Sequence, residues 1–315
     1  MSNIVVTGSA GYIGGQITLT LKDLGHTVYG IDRREPPEHL RGRVDKFFYK
    51  DFAADAALDW ICRARPSAII HCAGTSLVGP SMTNPAEYYN NNVVKTLKLL
   101  DTVIKELPDT RFIFSSSAAT YGVPVASLQC RETDTLKPIS PYGESKMMIE
   151  QMLAAYYRAY GLDYVAFRYF NACGADPQGR HGQEPGATHI IARVLESIRD
   201  HQEFTLYGNN YDTRDGTCIR DYVHVADIAQ AHVLALSPEI PAGIYNLGSN
   251  TGTSNQEIIN TAQEVTGQQV KVVHGTNRQG DPGVLVANSN KFNQLVRWRR
   301  FNLHDMIRHA WSWYV

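Results

Sequence analysis

Tyr142 and Lys146 stand four residues apart, a spacing that puts two side chains on one face of an α-helix. An ammonium beside a phenol favours the phenolate and lowers its pKa toward working pH, which would make Tyr142 a general base. Tyr-x-x-x-Lys also occurs by chance in many helices. Upstream, Phe114-Ser115-Ser116-Ser117 closes a predicted strand, and a hydroxyl at Ser117 could bond the oxygen being deprotonated. A polar strand end is the plainer reading of that serine.

A second group that could do chemistry is Thr7-Gly8-Ser9-Ala10-Gly11-Tyr12-Ile13-Gly14, between the first strand and the first helix. Glycines there allow a tight turn, close approach of backbone to a pyrophosphate, and helix–strand packing. The helix start adds N–H groups and a positive dipole end. Alone, such a loop is a weak signal, because a glycine-rich turn serves many folds. Asp32 strengthens it, since a carboxylate ending the next strand can accept from both ribose hydroxyls. Asp32 favours NAD, because a 2′-phosphate would meet its negative charge. Arg33 and Arg34 follow at once; they could pair with such a phosphate or form a solvated face.

The elements that must hold these groups alternate in period. Strands are expected at Ile4–Val6, Val28–Ile31, Lys46–Tyr49, Ala68–His71, Arg111–Ser115 and Asp163–Arg168. Helices are expected over Tyr12–Leu24, from Asn84-Pro85 with Asn84 as cap, and from Pro141 to Tyr160 with Gly161 as the stop. Apolar strands joined by crossover helices specify a doubly wound α/β fold with a parallel sheet. After residue 170 the alternation loosens into a smaller mixed α/β lobe. A helix is expected there over Ile190–Arg199, then a loop with strand character over Phe204–Arg220 and a helix over Asp227–Leu236, followed by short, mixed segments at Gly243–Leu247, Ser254–Thr266, Val270–Val273 and Leu303–Trp313. The division is 1–170 for the dinucleotide, with a returning segment near 221–237, and 171–315 for the substrate.

Composition sets the outer bounds. Thirty Lys+Arg against 31 Asp+Glu give a formal charge of −1, so no overall positive field draws nucleic acid or an anionic membrane. Five widely spaced cysteines without a CxxC pair read as reduced thiols, and the chain is expected to be cytoplasmic, with no membrane span. The histidines show no metal-ligand spacing, so no metal is expected.

At this point the chain resembles the extended short-chain dehydrogenase/reductases, and within them the UDP-glucose 4-epimerases. The resemblance rests on TGSAGYIG at 7–14, IIHCAG at 69–74, FIFSSSAATYG at 112–122, SPYGESK at 140–146 and RYFNACGADPQG at 168–179. It continues through YGNNYDTRDGTCIRDYVHVAD at 207–227, IYNLG at 244–248 and RQGDP at 278–282. It implies a Rossmann-type domain holding NAD tightly, a UDP-sugar substrate and a homodimer pairing the helices over Asn84–Leu107 and Pro141–Tyr160. Tyr142 would take the proton from the sugar 4-hydroxyl, Ser117 would polarise that oxygen, and Lys146 would hold the nicotinamide ribose. Hydride would leave sugar C4 and return to the other face of a turned 4-ketose. The NAD contacts implied are Gly8, Gly11, Tyr12, Ile13, Gly14, Asp32, Asp51, Phe52, Cys72, Ala73, Gly74, Asn91, Ser115, Tyr142, Lys146 and Tyr169. Those implied for the UDP-sugar are Ser117, Tyr142, Phe170, Asn171, His189, Thr205, Tyr207, Arg220, Arg278, Asp281 and Leu285.

Three departures from the family pattern stand out: the short stretch from Asp32 to Asp51, Ser76 where many members carry lysine, and Leu285 at a gate that holds tyrosine in members restricted to UDP-glucose and UDP-galactose. Leucine leaves more space, so N-acetylhexosamines are expected to enter. Among rivals, a 4,6-dehydratase needs an acid and a base after the strand-end hydroxyl, where this chain has Ala118-Ala119. A pentose 4-epimerase, a net dehydrogenase and a regulator that binds NAD without turnover are the others; the Tyr142/Lys146 pair speaks against the regulator.

Overall fold

The computed structural model describes residues 2–124, 129–186, 188–276 and 282–315. The chain divides into two compact units. One comprises Met1–Gly122, Asp134–Arg168 and Ala229–Tyr245, and the other Val123–Thr133, Tyr169–Ile228 and Asn246–Val315.

In the first unit, six strands form in chain order: β1 (Asn3–Thr7), β2 (Thr27–Asp32), β3 (Lys46–Tyr49), β4 (Ala68–His71), β5 (Arg111–Ser117) and β6 (Tyr164–Tyr169). With the Gly243–Leu247 strand they make a seven-stranded sheet, ordered Gly243–Leu247, β6, β5, β4, β1, β2, β3. The pairings of β1 with β2 and β4, of β2 with β3 and of β4 with β5 are parallel. This is a Rossmann-type α/β fold. The near-continuous apolar strands follow from burial on both faces: Val5, Ile31, Ile69, Phe112 and Phe114 pack with Leu99, Val103, Ile149 and Leu153 from the helices. Each such side chain contributes roughly 1.5–3 kcal/mol by leaving water.

The Pro141–Tyr160 helix begins and ends on its own sequence signals. The Ser140 hydroxyl accepts from the Gly143 N–H at 3.2 Å, Pro141 occupies the first turn, and Gly161 closes the helix at φ +73°. The helix expected from Asn84 is different. Asn84 makes no side-chain cap, and its amide donates to Glu87 instead. An α-turn at Pro85–Tyr88 passes into a π-helical segment, Tyr89–Val94, before α-geometry resumes over Lys95–Glu106.

Among its described residues the second unit carries three small sheets. Asn171–Cys173 pairs in parallel with Tyr222–His224, and Phe204–Tyr207 with Val272–Gly275. Ile219–Arg220 lies between Thr253–Ser254 and Val284–Leu285. Helices Ile190–Arg199, Asn255–Thr266 and Leu303–Tyr314 share a core of Val194, Leu195, Ile258, Ile259, Met306 and Ile307. Two of them start with capping boxes, Ser254 with Glu257 and Asn302 with Asp305. No helix among the described residues is long and apolar enough to cross a membrane. None of the five cysteines is in a disulfide.

Candidate active site

The glycine turn after β1 is fixed by contacts that only glycine permits. Gly8 has φ +72°, and a Cβ on it would stand 2.7 Å from the Ala73 nitrogen; one on Gly14 would stand 2.1 Å from the Gly8 oxygen. The helix beginning at Tyr12 and Ile13 is therefore seated directly on the turn, and Gly11 precedes it with no side-chain cap. Asp32, at the end of β2 and 8 % exposed, faces this turn. Its Oδ2 accepts from the Ala10 N–H at 3.1 Å and its Oδ1 from the Arg34 N–H at 2.9 Å. Each carboxylate oxygen retains a further lone pair for ribose hydroxyls. An uncapped helix start, a glycine cradle and a strand-end carboxylate on one sheet edge fit a dinucleotide.

Cys72, Ala73 and Gly74 follow β4 at the same edge, where the Ala73 N–H donates to the Thr7 hydroxyl at 3.2 Å. Burial pushes the Cys72 thiol up to about 11, which keeps it protonated. His71 bridges Thr7 and Thr96 through its two ring nitrogens, and burial lowers it to about 3, so it is a neutral packing group. Phe52 packs edge-on against the His71 ring at 4.8 Å. The floor beyond is polar and continuous. Lys95 Nζ donates to Asp51 at 2.6 Å and to Asn91 at 2.7 Å, while the Asn91 amide donates to the Thr75 hydroxyl. Asn92 receives the Thr75 N–H and donates to Ser145. Burial opposes ionisation of Asp51, but the Lys95 and Ala53 hydrogen bonds outweigh it and hold the carboxyl below its ordinary value. Lys95, Thr75 and Asn92 were not legible as site residues, because the π segment that aims the two asparagines leaves no mark in apolar periodicity.

Ser117 ends β5, and its hydroxyl accepts the Ala119 N–H at 3.1 Å. Lys146 Nζ donates to the Ser115 carbonyl at 2.8 Å and lies 5.9 Å from the centroid of the Tyr142 ring. The three expected groups are thus together at the carboxyl edge of the sheet. The expected direction of the Tyr142 shift is reversed. Tyr142 keeps some exposed surface, yet burial of its hydroxyl raises the pKa, and the Ser117 hydrogen bond only opposes this. The physical reason is placement: the ammonium stands over the ring face and spends a hydrogen bond on a backbone carbonyl. Burial also pushes Lys146 down to about 8, so its charge is mostly kept at neutral pH and lost as pH rises.

Beneath β5 lies a charged pair with almost no access to water. Arg168 and Glu150 are each 2 % exposed, joined by Nε–Oε1 at 2.9 Å and Nη2–Oε2 at 2.6 Å. The Ser116 hydroxyl also donates to Glu150, and Arg168 donates to the Tyr121 hydroxyl at 3.0 Å. Burial works against the charge on both Arg168 and Lys146; on Arg168 the Glu150 hydrogen bonds outweigh it and raise the pKa, while on Lys146, one helical turn away, Glu150 only opposes the lowering.

In the second unit, Asp221 organises several expected substrate residues. Its carbonyl accepts from the Asn171 backbone at 3.0 Å and the Asn171 side chain at 2.8 Å, and its N–H donates to the Leu285 carbonyl. Leu285 is in register with Arg220. The Asp221 carboxylate is fully buried and accepts from the Ser249, Asn250 and Ala287 N–H groups. Thr205 and Tyr207 lie two apart on one strand and are both exposed, as alternation requires. His189 contacts Gln183 at 2.7 Å, and burial lowers its pKa. Tyr169 and Phe170 are buried, the latter donating its N–H to the Leu247 carbonyl. Arg278 and Asp281 lie outside the described residues. No cluster of three or more metal-ligating side chains occurs among the described residues.

Comparison with known proteins agrees with this geometry. The NAD dependent epimerase/dehydratase family model matches residues 4–248. UDP-glucose 4-epimerase of Halalkalibacterium halodurans is 41 % identical over 99 % of this chain and 95 % of its own length. The crystal structure of UDP-glucose 4-epimerase from Brucella ovis in complex with NAD superposes with a TM-score of 0.93 at 38 % identity, covering 99 % of this chain and 98 % of that one. The UDP-Glc/GlcNAc 4-epimerase of Campylobacter jejuni gives a TM-score of 0.86 at 34 % identity, covering 99 % of both. With a glycine cradle facing Asp32, and Ser117, Tyr142 and Lys146 gathered on the same sheet edge, the chain belongs to the NAD dependent epimerase/dehydratase family.

Proposed function

We infer that this chain is an isomerase that interconverts UDP-hexoses epimeric at C4, with NAD as its cofactor. The observation that carries the reading is Lys146 Nζ 5.9 Å from the Tyr142 ring centroid at the sheet edge that also bears the glycine cradle, in a chain matched along its length by UDP-glucose 4-epimerases. NAD, when bound, supplies the chemistry of accepting a hydride from sugar C4 and giving it back. Gly8, Gly11 and the first turn of the helix would hold its pyrophosphate, Asp32 its adenosine ribose, and Lys146 its nicotinamide ribose. Asp51, with Phe52 beside it, would face the adenine end, while Asn91 and the segment Cys72–Gly74 line the floor, and Ser115 anchors Lys146.

Tyr142 in its phenolate form accepts the proton of the sugar O4 and, as the phenol, gives it back. Ser117 works against the burial that raises the Tyr142 pKa and so favours the phenolate. Nothing beside Ser117 can perform an elimination, since Ala118 and Ala119 follow it. Arg220 and Arg278 suit the diphosphate as bidentate donors, with Asn171 and His189 nearby in role, Thr205 and Tyr207 toward uracil, and Asp281 toward the uridine ribose. Tyr169 and Phe170 would pack near the nicotinamide.

Leu285 extends the proposal to N-acetylated hexoses, because a leucine excludes less volume than a tyrosine at the same strand position. Likeness to the UDP-Glc/GlcNAc 4-epimerase supports this. Product analysis after separate incubation with UDP-galactose and UDP-N-acetylglucosamine tests both statements. The expected products are UDP-glucose and UDP-N-acetylgalactosamine; the second idea fails if only the first appears at high enzyme.

We also propose a cytoplasmic homodimer. The Lys95–Glu106 and Pro141–Tyr160 helices leave Leu97, Tyr157 and Tyr160 at 40, 51 and 63 % exposure, an apolar face fitted to a second copy. Sedimentation should give twice the chain mass, and a monomer at micromolar concentration would refute it.

A further inference from the structure

Arg33 and Arg34 take no part in the function above, yet they stand where the adenosine half of the cofactor must lie. β2 delivers Asp32 to the sheet edge, and the chain then folds back on it, with the Arg34 N–H donating to Asp32 Oδ1 at 2.9 Å. That turn carries the Arg34 guanidinium back over the glycine loop. Its Nη2 lies 3.4 Å from the point a Cβ on Gly11 would occupy, and its Nε lies 3.8 Å from Asp32 Oδ1. The side chain is 61 % exposed, and its contact with Asp32 is long. The neighbouring Arg33 charge acts on Asp51, the other carboxylate at this end.

We propose that Arg34 is a cofactor-specificity residue that lets the site accept the 2′-phosphorylated dinucleotide, NADP, as well as NAD. The proposal rests on the dinucleotide reading and deepens it. A site selective for the bare ribose presents a carboxylate alone, so a 2′-phosphate is repelled. Here an exposed cation stands within 4 Å of that carboxylate, and two opposite charges at similar distances from one point offset each other. The two Asp32 oxygens already accept from the Ala10 and Arg34 N–H groups, which further spends their negative charge. A guanidinium is also a planar donor fork matched to phosphate oxygens, and Arg34 can meet one by a side-chain rotation without moving the backbone. NAD loses little, because each Asp32 oxygen keeps a lone pair for a ribose hydroxyl.

The test is a competition. Purified protein is incubated with equal excess of NAD and NADP and freed of unbound nucleotide. It is then denatured, and the released dinucleotides are separated and counted. The expected result is an NADP share of at least one thirtieth of the NAD. In Arg34→Ala that share should fall at least fivefold, with total dinucleotide within twofold of wild type, and Arg34→Lys should restore part of it. A wild-type share below one thirtieth overturns the proposal, as does a fall of less than fivefold in the alanine variant. A parallel loss of both dinucleotides would also overturn it, by making Arg34 a general adenosine contact. Failure of the wild type to retain either dinucleotide would instead refute the underlying cofactor reading, and this proposal with it.

Discussion

Tyr142→Phe is expected to lower the epimerisation rate by about two to four decades while leaving UDP-sugar binding largely intact. The substitution deletes one oxygen and keeps the ring, which packs edge-on to Tyr88 at 6.4 Å between centroids. What disappears is the proton acceptor for the sugar O4. Because burial raises the Tyr142 pKa, the phenolate is scarce at neutral pH, and the wild-type rate should climb as pH rises toward the point where Lys146 begins to lose its charge, near 8. The variant should show no such rise. Steady-state rates across pH, with UDP binding measured by calorimetry, check both parts. A phenylalanine variant of unchanged rate would mean that another group moves the proton.

Glu150→Gln should destabilise the first unit by about 3–5 kcal/mol, the cost of leaving one member of a buried ion pair uncompensated. Glutamine nearly matches the shape of glutamate, so the loss is one of charge rather than volume. Arg168, 2 % exposed, would lose its buried carboxylate partner while keeping its hydrogen bond to Tyr121. The melting temperature should drop by on the order of 10 °C. Replacing Glu150 and Arg168 together by leucine and methionine should recover most of that, since well-packed apolar groups often equal such a pair. Thermal melts of the three proteins decide it, and a Glu150→Gln protein melting like wild type would show that water reaches the guanidinium.

The elements that frame the site were legible because each carries a local signal. Lys46–Tyr49, Ala68–His71 and Ile190–Arg199 fall where apolar runs and their breakers put them. Ser140, Pro141 and Gly161 bound their helix by capping chemistry that acts over three or four residues. The Ser117/Tyr142/Lys146 group was legible because strand end and helix turn both point to one edge. What was not legible depends on distant neighbours. Asn84 has the right residue type for a cap, but Glu87 takes its amide. The direction of the Tyr142 shift is set by enclosure, which no spacing of residues encodes. Asp221 carries no sequence signal of its own, yet its carboxylate is a buried acceptor for three backbone amides separated from it by up to 66 positions.

The widened turn at Tyr89–Val94 has its own corollary. Adjacent residues on an ordinary helix splay away from each other, so two consecutive amides rarely serve one target. On this rod Asn91 and Asn92 both reach Thr75, one through its hydroxyl and the other through its backbone. The winding changes gauge for one turn, and neighbours in the chain become finger and thumb of a single pinch.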